Sequence, residues 1–329
     1  MATTTTTVPS AGPVAGSRSF LSRLRAGDEI ARLITFLFAA SVVLVTLLLV
    51  FELWQGSVLA RHKFGFSFFL TRVWDPIFDQ FGALPFIYGT VVTSVVALIL
   101  AVPLGIGAAI FLAELAPQKI SDTLQFFIDL LAAVPSVIYG LLGFLAVVPL
   151  MREYVQPGLK KSLGFLPLFQ GPAYGVGFLT AGIVLAIMVI PYIISVSREI
   201  LLSVPRDQRE AALALGATRW ESTWKVVVPF ARTGIMGSIF LALARALGET
   251  MAVTMVIGNA PTISASLFSP GDSIASVIAN QFTEATGDLY LQSLIELGLV
   301  LFLLTFILNG FARLLIVVTT QRGSATGLA

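Results

Sequence analysis

Arg245 and Glu249 are the residues of this chain best placed to do chemistry, because they lie four positions apart inside a long apolar run from about Thr233 to Ile257. If the run is a helix, four residues make one turn and the two side chains share a face. An arginine at the centre of a bilayer costs roughly 2.5–3.5 kcal/mol even on the lenient insertion scale, so its presence marks a pathway or a partner. A guanidinium offers a planar fork of donors that matches an oxyanion through paired hydrogen bonds. A carboxylate beside it weakens a permanent anion trap, which suits release. The competing reading is an intrahelical ion pair that locks the bundle, and the residues fit both. Other chemistry is narrow. Cysteine is absent and His62 is the single histidine, which removes disulfides, thiolate sites and clusters of imidazole ligands. No G-x-x-x-x-G-K-[ST] loop occurs, so the chain is not expected to hydrolyse ATP itself. A net charge of +2 is too small to argue for nucleic acid.

The elements that must hold these residues follow from composition. Of 329 residues, 57% are hydrophobic and only 12% charged, about half the charged fraction of a soluble domain. No single core hides that much apolar surface, which rules out a soluble enzyme and predicts a polytopic membrane protein. Six stretches reach the roughly 20 residues that a bilayer requires. They run from about Leu33 to Phe51, Ala83 to Ala113, Leu130 to Met151, Tyr174 to Ser197, Thr233 to Ile257 and Leu289 to Ala312. Thirteen Lys and Arg residues fall in the two tails and the even-numbered connections, against six on the other side, with Arg245 inside a span. That asymmetry predicts both termini in the cytoplasm. Residues 1–29 read as a disordered cytoplasmic tail and 319–329 as a second tail, around a six-helix domain over 30–318. The first span is expected to remain uncleaved, because Phe51-Glu52-Leu53-Trp54 is a poor cleavage site. Trp54, Phe64, Phe66, Phe68, Phe69 and Trp74 suit an outer interface.

The fourth connection carries the clearest local signals. Pro205 starts a helix, Gly216 ends it in the left-handed conformation, and Thr218-Arg219-Trp220-Glu221 is a capping box that opens a second helix before Pro229. Two short helices bent at a glycine predict a rigid hook over about 203–229. Glu210-Ala211-Ala212, three residues, Gly216, nine residues, then Val226-Val227-Val228-Pro229 resembles the EAA motif of ABC importer permeases. The resemblance implies a type I importer permease fold, and it implies that Glu210, Ala211, Ala212, Gly216 and Pro229 couple the chain to a separate ATPase subunit.

Further stretches extend the resemblance: Pro85-Phe86-Ile87-Tyr88-Gly89-Thr90, Ala101-Val102-Pro103-Leu104-Gly105, Ala133 to Gly140, and Arg245-Ala246-Leu247-Gly248-Glu249-Thr250. Together they are similar to the phosphate importer permeases, closer to the PstC type, over roughly Ile30 to Leu315. The resemblance implies phosphate as cargo and no cofactor. The partners it implies are a second homologous permease subunit, two ATPase subunits and an extracytoplasmic phosphate-binding protein. A permease for another anion or small solute is the nearest alternative. An ion-coupled transporter or channel, which would carry more intramembrane carboxylates or an internal repeat, is a more distant one, as is a membrane sensor of phosphate. Pro103, Pro135 and Pro191 lie inside apolar runs and predict kinks. Gly140 with Gly143, and Gly234 with Gly237, predict close helix approach. In the fifth connection Ile274, Val277, Ile278 and Phe282 fall at helical spacing, which predicts a short amphipathic helix that either gates the outer mouth, helps dock a binding protein or lies on lipid.

Overall fold

The structure, a computed structural model, describes the backbone of residues 28–325 and the side chains of 29–314. Most of the expected N-terminal tail, with Arg18, Arg23 and Arg25, lies outside the described residues. Regular structure among the described residues is helical, apart from one bridge between Asp75 and Gln80. Six helical stretches are long and apolar enough to cross a bilayer: Glu29–Gly56, Leu84–Leu115, Ser136–Leu163, Phe178–Leu202, Arg219–Leu247 and Asp288–Leu314. Helix α1 (Asp28–Gly56) is apolar on all sides, and its residues up to Glu52 form a unit of their own with nearly every side chain exposed. That is the surface of a helix made to face lipid.

The second unit, from Leu53 onward, contains the remaining helices. These are α2 (Val58–Phe64), α3 (Leu84–Ile110), α4 (Gln118–Ala132), α5 (Ser136–Leu142), α6 (Val148–Leu150) and α7 (Gln156–Leu163). They are followed by α8 (Phe178–Leu202), α9 (Arg206–Ala214), α10 (Arg219–Ser222), α11 (Val228–Leu247), α12 (Met251–Ile257), α13 (Ile274–Gln281) and α14 (Asp288–Ala325). The centre is the pairing of α3 with α8, where small residues bring the backbones together. A Cβ on Gly182 would lie 2.4 Å from Val96, and one on Gly105 would lie 2.7 Å from Ile193. Gly140, Gly143 and Gly234 are likewise pressed against Met255, Val184 and Ile200, whereas Gly237 faces open space and does not carry the close approach expected of it.

Four wide turns occur in three helical stretches, at Phe111–Leu115, Gly143–Val147, Met151–Val155 and Thr223–Val227. Each ends two residues before a proline: Pro117, Pro149, Pro157 and Pro229. A proline lacks the N–H that would close the preceding turn, and its ring crowds the carbonyl four residues back, so that turn widens. Pro103 and Pro191 remain inside α3 and α8.

Two expected boundaries are corrected. Leu130–Ala132 belong to α4, and the third span begins only at Ser136, because Pro135 disfavours helix at Val134 and starts a new one. The fifth span does not run unbroken to Ile257. It ends at Leu247, and α12 is a separate helix. The expected amphipathic helix is present as α13, but Ile274 and Val277 are fully buried among Phe86, Tyr290 and Leu294, so lipid does not face that side. Phe68 and Trp74 are buried in the same cluster, whereas Trp54 and Phe66 are exposed and Phe64 and Phe69 half-buried.

Candidate functional site

The hook forms by local chemistry. Helix α9 closes with two bonds, Gly216 N–H to the Leu213 carbonyl (2.9 Å) and Ala217 N–H to the Ala212 carbonyl (3.1 Å), around Gly216 at φ +87°. That is the double bond of a left-handed helix stop. The capping box is present: Glu221 N–H donates to Thr218 Oγ1 (3.2 Å), and Thr218 N–H donates to the Glu221 carboxylate (3.0 Å). Glu221 lies below the usual carboxylate range because these Thr218 bonds favour its charged form. Glu210, Ala211 and Gly216 are exposed, and Ala212 is half-buried. Ala211, Ala212, Leu215, Gly216 and Lys225 line a concave surface of about 480 Å³ inside the bend. Leu215, Trp220 and Trp224 stand exposed around it, with the two indoles 5.6 Å apart edge to face.

Arg209 anchors the hook, and little in the sequence signals it. Its guanidinium donates to both Glu114 oxygens, the shortest contact being 2.7 Å, and to the carbonyls of Leu201 (2.7 Å) and Val204 (2.5 Å). One side chain thus ties the end of the second span to the open carbonyls at the end of α8. The only available cue was a lone acidic residue at the close of an apolar run. The pair is largely enclosed, with side chains 20% and 9% exposed.

The hook does not stop at Pro229. Helix α10 passes through the wide turn at Thr223–Val227 into α11 with Pro229 at its start, so Arg219 to Leu247 is one continuous rod. Arg245 lies on the last turn of that rod, about 40 Å from Arg219 at 1.5 Å per residue. Its side chain is exposed, with the guanidinium carbon 5.9 Å from the centre of the Tyr192 ring on α8.

Glu249 is not on the same helical face as Arg245. Gly248 ends the helix, and Glu249 turns forward to accept the Ala252 N–H at 3.2 Å, capping α12. Among the described residues Arg245 forms no ion pair, so the intrahelical lock that the spacing allowed is absent. Apolarity across Gly248 concealed the break, although a glycine followed by a capping acid is itself a stop-and-start signal. At the opposite end from the hook, the connection after α12 tucks back into the bundle. There Asp272 is buried against Gly89, accepts the Ser273 N–H at 2.9 Å, and is pushed by burial up to about 6.

With this geometry in view, comparison with known proteins is informative. A family model described as "binding-protein-dependent transport system inner membrane component" matches residues 101–316. The phosphate transport system permease protein PstC of Mesorhizobium japonicum is 47% identical over 87% of this chain and 90% of its own length. The protein of the same name from Pasteurella multocida is 49% identical over 86% and 89%, and that from Xylella fastidiosa strain Temecula1 is 44% identical over 95% and 97%. Among solved structures, a subunit of a bacterial alginate ABC transporter superposes with a TM-score of 0.58 at 17% identity, covering 88% of this chain and 96% of that one. That likeness shows the fold alone: a polytopic type I importer permease. From the matched family model and these near full-length relatives, the chain belongs to the binding-protein-dependent transport system inner membrane component family of ABC importer permeases.

Proposed function

We propose that this chain is the membrane permease subunit of an ATP-driven phosphate importer, of the PstC type. The observation that carries the reading is its 44–49% identity, across most of its length, to permeases named for phosphate transport. An exposed intramembrane arginine that forms no ion pair among the described residues supports the choice of an oxyanion as cargo. The chain would assemble with a second, similar permease subunit, two ATPase subunits and an extracytoplasmic phosphate-binding protein. The concentration of Lys and Arg on the hook side supports cytoplasmic placement of the hook and of both termini.

In this reading the exposed Leu215, Trp220 and Trp224 and the concave bend seat the hook in a cleft of an ATPase subunit. The Arg209–Glu114 clamp passes displacement of the hook to the second and fourth spans. The continuous rod passes it to Arg245. When ATP closes the ATPase pair, the rod shifts the turn that bears Arg245, and the pathway opens toward the binding protein. Phosphate is received there, and ATP hydrolysis resets the pathway toward the cytoplasm. Glu249 serves this site by position: it caps α12, which fixes where the rod ends and therefore where Arg245 points.

Proteoliposomes holding the full complex test the reading. With ATP in the lumen and the binding protein outside, labelled phosphate should accumulate, and lumenal ADP should support none. A complex that assembles and hydrolyses ATP yet accumulates another anion and not phosphate would replace this cargo with that one.

A further inference from the structure

Helix α4 carries a polar seam along α8. Gln125 Nε2 donates to Asp129 Oδ1 (2.6 Å) and to Ser195 Oγ (2.9 Å), and Ser195 Oγ donates to the same Asp129 oxygen (2.7 Å). Further toward the hook, Arg198 pairs with Asp122 at 3.3 Å. Asp122 is therefore compensated by a cation. Asp129 is exposed and forms no ion pair among the described residues.

A chain of contacts along α8 places Asp129 near Arg245. The Tyr192 ring lies 5.9 Å from the Arg245 guanidinium, Ser195 follows three residues later on the same side, about 4.5 Å nearer the hook, and Ser195 is bonded to Asp129. Arg245 and Asp129 thus bracket one stretch of wall, with the arginine deeper and the carboxylate closer to the hook.

Resting on the reading under Proposed function, we propose that Asp129 is the release residue of the pathway: its fixed negative charge weakens the hold of Arg245 on phosphate when the path is open to the cytoplasm, and prevents recapture from that side. A second anion brought near a cationic site lowers that site's affinity for anions, and the effect is strong where water is scarce. The Gln125 and Ser195 bonds hold the carboxylate in place on the α4–α8 seam. An importer needs this difference between its two states, since a site of equal affinity in both would drive nothing.

The test compares initial uptake of labelled phosphate into proteoliposomes whose lumen is either free of phosphate or loaded with millimolar phosphate. The readout is the ratio of the two rates, with a sulfate-loaded lumen as control for ionic strength. In Asp129→Asn the ratio should fall by at least about threefold relative to the parent, because cytoplasmic-side phosphate now occupies the arginine. Ser195→Ala, which keeps the carboxylate but removes one of its two bonds, should lower the ratio less than Asp129→Asn does. A purely structural role for Asp129 would lower both rates together and leave the ratio unchanged, which would overturn the proposal. Asp129→Ser is measured alongside as a second neutral variant. Failure of both neutral variants to assemble would make Asp129 architecture and overturn the assignment equally. A parent complex that takes up no phosphate at all would instead refute the cargo assigned above, before any variant is considered.

Discussion

The rod from Arg219 to Leu247 has two ends built on opposite principles. At the hook end every feature is over-determined: a capping box, a glycine stop with two closing bonds, and an arginine that ties neighbouring spans together. At the membrane end a single glycine stops the helix, the next residue caps a short new one, and the arginine just before them forms no ion pair among the described residues. Under the proposed function, stiffness at the hook serves to deliver force without bending. An arginine outside an ion pair fits the same proposal, because a guanidinium saturated by a carboxylate would have no donors left for cargo. In that reading the rod is a lever whose handle is fixed and whose tip is kept available.

Four tests probe that contrast. The largest effect is expected at the tip: Arg245→Gln should lower phosphate uptake on the order of a hundredfold while the complex still assembles, as when a preorganised donor is removed from a charge-stabilising site. Arg245→Lys should recover little, because a point charge lacks the planar fork. Uptake near the parental rate in either variant would transfer the pathway role elsewhere. Next comes the clamp. Arg209→Ala leaves Glu114 enclosed and unpaired, which should destabilise the subunit by about 3 kcal/mol, measured as a lower melting temperature in detergent. Glu114→Gln combined with Arg209→Gln should recover part of that loss, because no orphaned charge remains. Recovery of stability without recovery of coupled ATPase activity would separate the clamp's transmission role from its structural one.

The third effect is conformational. Gly216 sits at φ +87°, and a Cβ there would meet nothing within 4 Å, so any cost of substitution comes from the backbone alone. Gly216→Val should therefore cost about 1–2 kcal/mol locally and reduce transport-linked ATPase activity by misdirecting the hook. Gly216→Asn, which tolerates the left-handed region, should retain most of it. The smallest effect separates paired from unpaired tips. In a double-mutant cycle for stability, Arg245→Gln and Glu249→Gln should be additive within about 0.5 kcal/mol. A larger coupling would mean that the two charges do engage, and the comparison between the ends of the rod would fail.

Much of this molecule was legible before its fold. Six apolar runs, the bias of basic residues and the Pro205–Gly216–Thr218–Glu221 sequence identify spans and hook, because length, caps and turns depend on neighbours in the chain. The prolines that widen the preceding turn belong in the same class: Pro117, Pro149, Pro157 and Pro229 act only on the residues just before them. Gly248 is the instructive exception. Its stop signal is local too, but hydropathy averaged over a span outweighed it, and the spacing of Arg245 and Glu249 then suggested a shared face that does not exist.

Tertiary structure alone decided the rest. Arg209 meets Glu114 across 95 positions of sequence, and Ser195 meets Asp129 across 66. No local rule joins such residues; only the packing of α3 and α4 against α8 brings them within reach. Packing of α13 and α14 against the start of α3 buries Trp74 and Val277, which the sequence had left free to face the interface or lipid. Sequence by itself determined which segments are helices and where most of them stop, since those depend on short-range geometry and transfer energies. Which charges are paired and which are not depends on distances between helices, and that was settled only when the bundle closed.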